Sequence, residues 1–136
     1  MESQKKFPVT YSFELFPPQP SEGIEKLRLT CNRLAQYHPK FFSVTFGAGG
    51  STRERTLETV LEMKAKGYVV APHLSCIGST RNNILEILEK YHQTGIQHIV
   101  ALRGDLPSGM AQAGEFRYAS ELVAFIRQEF GDWFHI

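Results

Sequence analysis

Four apolar runs rich in β-branched and aromatic residues divide the chain: Tyr11–Phe16, Phe41–Phe46, Val69–Leu74 and Ile99–Leu102. Their composition and length predict strands. Between and after them, apolar residues recur at three- and four-residue spacing. Ile24, Leu27, Cys31 and Leu34 form one stripe, and Leu57, Val60, Leu61 and Ala65 a second. Ile84, Ile87, Leu88 and Tyr91 form a third, and Leu122, Phe125 and Ile126 a fourth. Each stripe predicts an amphipathic helix that covers something on one side only.

The residues at the element ends agree. Ser51 and Glu54 have the S-x-x-E spacing of a capping box. Ser21, and Ser79 or Thr80, are placed to cap the first and third helices. Gly67, Gly95 and Gly131 each follow a stripe, where a helix ends in a left-handed residue. Lys64 and Lys66 fall in the last turn before Gly67 and suit the helix dipole. The predicted order is βαβαβαβα, and Trp133–Ile136 reads as the start of a fifth strand.

The second, third and fourth strands start near Phe41, Val69 and Gln97, a spacing of 28 residues each time (69 − 41 and 97 − 69). All three are nearly continuous apolar runs, as expected of parallel strands buried on both faces. Strand–helix alternation predicts a parallel α/β sheet with right-handed crossovers. Two architectures compete, the doubly wound open sheet and the (β/α)8 TIM barrel, and the regular repeat slightly favours the barrel.

Composition narrows the class. Of 136 residues, 42% are hydrophobic and 21% charged, which is ample for a core. Fifteen Lys and Arg against fourteen Asp and Glu leave a net charge of +1, without a basic stripe or an acidic tail. Neither nucleic acid nor a membrane surface is an expected partner. No apolar run approaches the roughly 20 residues that span a bilayer, and no signal peptide is read at the start. Cys31 and Cys76 match no metal spacing, so no metal site is expected, and two buried thiols suit a reducing, cytoplasmic setting.

The candidate chemistry gathers at one end of the strands. Glu14 lies near the end of the first, Thr45 ends the second, His73 the third, and Arg103 and Asp105 follow the fourth. In parallel α/β folds the carboxyl ends of the strands form the site. Glu14, among aromatic and aliphatic neighbours, is expected to be partly desolvated, which would raise its pKa and suit a general acid. The alternative is a solvent-facing Glu on an edge strand. Gly47–Thr52 could hold an anion at a helix N-terminus, or serve only as a tight turn. It matches neither a Walker A loop nor a dinucleotide fingerprint. His73 suits a hydrogen-bonding role in a pocket, or a satisfied core histidine. His38, His92 and His98 read as structural. Arg103-Gly104-Asp105 puts opposite charges at the strand end, and Gly104 allows close backbone approach to a ligand. Arg103 could bind an anion and Asp105 stabilise a cation, or the two could form a structural ion pair. The stretch Gly104–Glu115 is the longest irregular segment, and such loops tend to be functional.

Four motifs carry a resemblance: Phe13-Glu14-Leu15-Phe16-Pro17-Pro18, Val44-Thr45-Phe46-Gly47-Ala48-Gly49-Gly50-Ser51, Pro72-His73-Leu74-Ser75-Cys76 and Ala101-Leu102-Arg103-Gly104-Asp105. In this order they closely resemble the bacterial methylenetetrahydrofolate reductase family, from about Tyr11 to Ile136. The resemblance implies a (β/α)8 barrel with FAD at the carboxyl ends of its strands. It also implies ping-pong reduction of 5,10-methylenetetrahydrofolate to 5-methyltetrahydrofolate, with NADH or NADPH as reductant, feeding methionine synthesis. By the same resemblance Glu14 is the general acid, and Asp105 stabilises the iminium cation of the substrate and tunes the flavin. Thr45, His73, Arg103, Gly104, Asp105, Tyr118 and Ala119 match positions that contact FAD.

A (β/α)8 barrel runs to roughly 250 residues. Residues 1–136 are therefore expected to be a single partial barrel domain, the N-terminal half: four βα units and the start of strand five. Open sheet edges would favour self-association, and a homo-oligomer is expected. The competing readings are an inactive truncated or partner-binding half-barrel, and a different flavin barrel of the proline dehydrogenase type. The Glu14 and Arg103–Asp105 motifs argue against the second of these.

Overall fold

The computed structural model describes residues 8–18, 22–46, 50–105 and 114–136. Its elements run in the predicted alternation: β1 (Phe13–Leu15), α1 (Glu22–Ala35), β2 (Phe42–Val44), α2 (Gly50–Ala65), β3 (Val70–Ser75), α3 (Arg81–Gln93), β4 (Val100–Leu102) and α4 (Ala119–Phe130). All strand pairs are parallel, in the order β1-β2-β3-β4. This order separates the two architectures. A doubly wound sheet reverses its strand order at a switch point. Here sequence order equals spatial order, so right-handed crossovers put all four helices on one face. These are the first four βα units of a TIM-barrel fold.

Register preserves the repeat seen in the sequence. Phe13 pairs with Phe42, Phe42 with Val70, and His73 with Val100, offsets of 29, 28 and 27 residues. Partners in a parallel ladder point to the same face, and successive residues to opposite faces. Phe42, Val44, Val70 and Leu74 therefore face the helices, and all are buried. Against them pack Val60 and Met63 of α2, Ile84, Leu88 and Tyr91 of α3, and Leu122, Phe125 and Ile126 of α4. Burial of both faces holds for β2 and nearly for β3, whereas β4 is only half-buried, because it lies at the end of the four-stranded sheet.

The ends of the helices show which capping signals act. Thr80 caps α3, its hydroxyl accepting the Asn83 N–H at 3.2 Å. The helix that carries the Ser51–Glu54 spacing, α2, begins at Gly50. The Ser51 side chain, like Ser21 before α1, lies outside the described residues. Lys64, expected to serve the end of its own helix, also serves a neighbour's: its ammonium donates to Thr94 O at 3.0 Å, just beyond the end of α3.

After α4 the chain returns beside β4. His135 N–H donates to Gln97 O, the His135 carbonyl accepts the Ile99 N–H, and His98 and His135 form a parallel bridge. Trp133 Nε1 donates to Ile96 O, and Arg127 donates to Phe134 O, which holds this segment in place. Where a fifth strand is predicted, the described residues thus form a single parallel bridge, at His98 just before β4, and no fifth strand.

Candidate functional site

The alternation that sends Phe42 and Leu74 toward the helices sends every second residue to the opposite face. That set comprises Glu14 of β1, Ser43 of β2, Ala71, His73 and Ser75 of β3, and Val100 and Leu102 of β4. Thr45, two residues beyond Ser43, continues it. The polar members come from three successive strands and cluster toward their carboxyl ends, while the helix face of the same strands is apolar. Ser43 and Ser75 belong to this constellation and were not among the residues singled out from the sequence. Their signal was present as lone hydroxyls inside apolar strands.

Glu14 and His73 come together. Glu14 Oε2 lies 3.5 Å from His73 Nε2, although β2 runs between their strands. Adjacent strands lie about 4.8 Å apart, so the two side chains bridge two such spacings. The small Ser43, level with Glu14, leaves the space for them to do so. Burial pushes the His73 imidazole below its ordinary pKa of 6.5, and the Glu14 carboxylate pushes it partly back. His73 is therefore neutral at pH 7, and its side chain is only 12% exposed. Glu14 departs from expectation: its side chain is 54% exposed. Its aromatic neighbours in sequence do not enclose it, because they point to the other face of β1 or lie, like Phe16, exposed themselves.

Thr45 is fixed by its backbone. Its N–H donates to Leu15 O at 2.9 Å, and its carbonyl accepts the Thr56 hydroxyl of α2 at 2.9 Å. The following Gly47–Gly49 lie outside the described residues.

The end of β4 is locked against β3. Ser75 Oγ and Ile77 N both donate to Arg103 O at 2.8 Å. Gly104 then turns the chain at φ +83°, and a Cβ there would collide with Ser75 Oγ and lie 2.9 Å from Ile77 Cγ2. The glycine is thus required by packing inside the protein as well as by its backbone angle. Beyond it Arg103 and Asp105 are both exposed. The Arg103 guanidinium donates to the neighbouring Gly104 carbonyl at 3.1 Å. Among the described residues no ion pair joins it to Asp105, so the structural-pair alternative is not what this turn forms.

The segment that returns to α4 is anchored as well. Glu115 N donates to Ser79 O, and Glu115 Oε2 accepts the Arg81 N–H at 2.6 Å, closing the N-terminus of α3. The Arg81 guanidinium lies 5.3 Å and 5.2 Å from the Phe116 and Phe125 ring centroids. Glu121 accepts the Arg117 N–H at 2.6 Å at the start of α4. Tyr118 precedes that helix and is 62% exposed, and Ala119 is its first residue. The buried Cys76 thiol lies 3.9 Å from both Arg103 O and Tyr118 O, tying the ends of β3 and β4 to the start of α4. Thr45, His73, Arg103, Gly104, Asp105, Tyr118 and Ala119 therefore lie along one rim. Residues 106–113 of the long loop lie outside the described residues.

Comparison with known proteins gives the family of the chain. Residues 1–136 match the family model described as methylenetetrahydrofolate reductase. The chain is 42% identical over 126 residues to the 5,10-methylenetetrahydrofolate reductase of Pectobacterium carotovorum subsp. carotovorum, covering 92% of this chain and 41% of that protein. It is 42% identical over 121 residues to the protein of the same name from Escherichia coli, covering 88% and 40%. It is 40% identical over 131 residues to methylenetetrahydrofolate reductase (NADH) 1 of Arabidopsis thaliana, covering 93% and 22%. The chain spans about two fifths of the length of the bacterial relatives.

Proposed function

The chain belongs to the methylenetetrahydrofolate reductase family, and from that membership we propose that it carries the first half of the site that reduces 5,10-methylenetetrahydrofolate to 5-methyltetrahydrofolate. Residues 1–136 act in this reading as one partial barrel domain of a cytoplasmic, self-associating enzyme in methionine synthesis. The observation that carries the reading is the segregation of polar side chains: Glu14, Ser43, Thr45, His73 and Ser75 share one sheet face, opposite the helices.

The residues along the rim fit FAD by their chemistry. Arg103 extends an exposed guanidinium whose one hydrogen bond among the described residues is local, which leaves donors for an anion or a ring edge. Thr45 and His73 offer a hydroxyl and a neutral imidazole, and Tyr118 an exposed ring for stacking. Bound there, FAD would supply the carrier of hydride between NADH or NADPH and the folate.

The protein's own part is proton and charge management. Glu14 is exposed enough to meet a substrate and to exchange protons with solvent, and it serves as the general acid that opens the five-membered ring of the folate. The neutral His73 beside it orients the carboxyl without adding a cation to compete for its charge. Asp105, exposed and without an ion-pair partner among the described residues, puts a fixed negative charge where the substrate becomes an iminium cation. The test is direct. Purified protein should be yellow, release FAD on denaturation, and oxidise NADH or NADPH in a first half-reaction and form 5-methyltetrahydrofolate in a second. Protein that binds no flavin and turns over neither substrate would favour a binding role instead.

A further inference from the structure

We infer that Ser75 is a positioning residue for Asp105, acting through the Arg103–Gly104 peptide. The inference rests on the proposed role of Asp105 at the flavin.

Asp105 follows a turn, and an exposed carboxylate on a turn is only as well placed as the backbone beneath it. Two strong donors converge on the carbonyl just before Gly104, and the Cys76 thiol adds a long, weak third at 3.9 Å. Ile77 N–H continues the ladder between β3 and the end of β4, and Ser75 Oγ adds a second hydrogen bond of equal length, 2.8 Å. Together they satisfy both lone pairs of Arg103 O and hold the plane of the Arg103–Gly104 peptide. The same Oγ abuts the Cα of Gly104, so close that a Cβ would collide with it. The hydroxyl thus contacts the turn on both sides of one peptide bond. Its setting favours a single geometry, because Ser75 is 8% exposed and paired in register with Leu102. A side chain free to rotate in water could not do this. An alanine would leave the backbone ladder intact, lose the second hydrogen bond and open a gap beneath Gly104. The turn would then sample more than one arrangement, and the Asp105 charge would be spread over them.

The test measures flavin reduction potential, folate half-reaction rate and amide hydrogen exchange in residues 102–105 for Ser75→Ala, Asp105→Asn and the double variant. Ser75→Ala should raise the potential by part of the Asp105→Asn shift, slow the folate half-reaction roughly three- to tenfold, as for one net hydrogen bond, and speed exchange in the turn. In the Asp105→Asn background, Ser75→Ala should leave the potential where it is, because the charge it positions is gone. Ser75→Thr, which keeps the hydroxyl, should restore the potential, and Ser75→Val, of the same shape, should not. That pair also replaces Ser75→Ala should the alanine variant not fold. A potential unmoved by Ser75→Ala while Asp105→Asn shifts it overturns the inference. So does a Ser75→Ala shift that persists undiminished in the Asp105→Asn background. If Asp105→Asn shifts nothing, the role of Asp105 at the flavin fails. Exchange in the turn then decides alone, and unchanged exchange in Ser75→Ala overturns the positioning role.

Discussion

Glu14 and His73 meet across an intervening strand, with Oε2 and Nε2 3.5 Å apart and a serine of β2 beneath them. A neutral imidazole beside a carboxyl can hold it in place whichever way the carboxyl is charged. The pair therefore makes a sharper statement about Glu14 than its sequence neighbours do. In an active reductase, Glu14→Gln should spare flavin reduction by the nicotinamide cofactor and slow folate reduction by roughly 100- to 10,000-fold, the usual worth of a general acid. Stopped-flow measurement of the two half-reactions checks this. Equal losses in both would remove Glu14 from the proton-transfer step.

Asp105 should act on charge. Its carboxylate opposes added negative charge on a nearby reduced ring and favours a cationic substrate intermediate. Asp105→Asn is expected to raise the flavin potential and to slow the folate half-reaction. Dye-equilibrated redox titration and single-turnover rates report the two effects. No change in either would leave Asp105 as an ordinary rim residue.

Gly104 should resist any side chain. At φ +83° an L-residue is strained, and the added Cβ would overlap Ser75 and Ile77. Gly104→Ala should cost about 1–3 kcal/mol of stability, the scale of one strained backbone position, with the overlap adding to it. Urea unfolding measures the cost. A midpoint equal to that of the parent would mean that the turn relaxes freely.

Acid should destabilise the fold through two histidines. Burial lowers the pKa of His73, against a smaller opposing pull from Glu14. Burial, then His135, then Lys40 lower that of His98, whose ring lies 4.9 Å from the His135 ring. In each case the unfolded chain takes up a proton near pH 6.5 and the folded chain does so only at lower pH. Stability is therefore present in full above 6.5 and declines as the pH falls from there toward the folded-state pKa values. Replacing His98 by Asn should flatten the dependence of thermal midpoint on pH in that window. An unaltered slope would assign the effect to other groups.

The strand–helix order, the 28-residue repeat, the helix stripes and the capping role of the Ser79–Thr80 pair were all legible in the sequence. Each depends on local periodicity or on a backbone requirement that a few adjacent residues state. So was the tendency of Glu14, Thr45, His73, Arg103 and Asp105 to fall at one end of their strands, because position along a strand is countable. The family itself was carried by four short motifs in order.

What the sequence left open was decided by pairing. Barrel or open sheet depended on strand order, which no single strand encodes, and the order β1-β2-β3-β4 settled it. Glu14 is exposed, against what its sequence neighbours suggest, because Phe13 lies on the other face of β1 and Phe16 is itself exposed. Its true neighbour, His73, is 59 residues away (73 − 14) and reaches it only through the parallel register of three strands. Gly104 reads in the sequence as a place for close backbone approach to a ligand, and the structure adds a second reason for it, since the missing side chain makes room for Ser75 and Ile77. The roles of Ser43 and Ser75 are hidden in the sequence for the same reason. A hydroxyl in an apolar run carries no sign of what it faces until register brings a carboxylate or a carbonyl beside it.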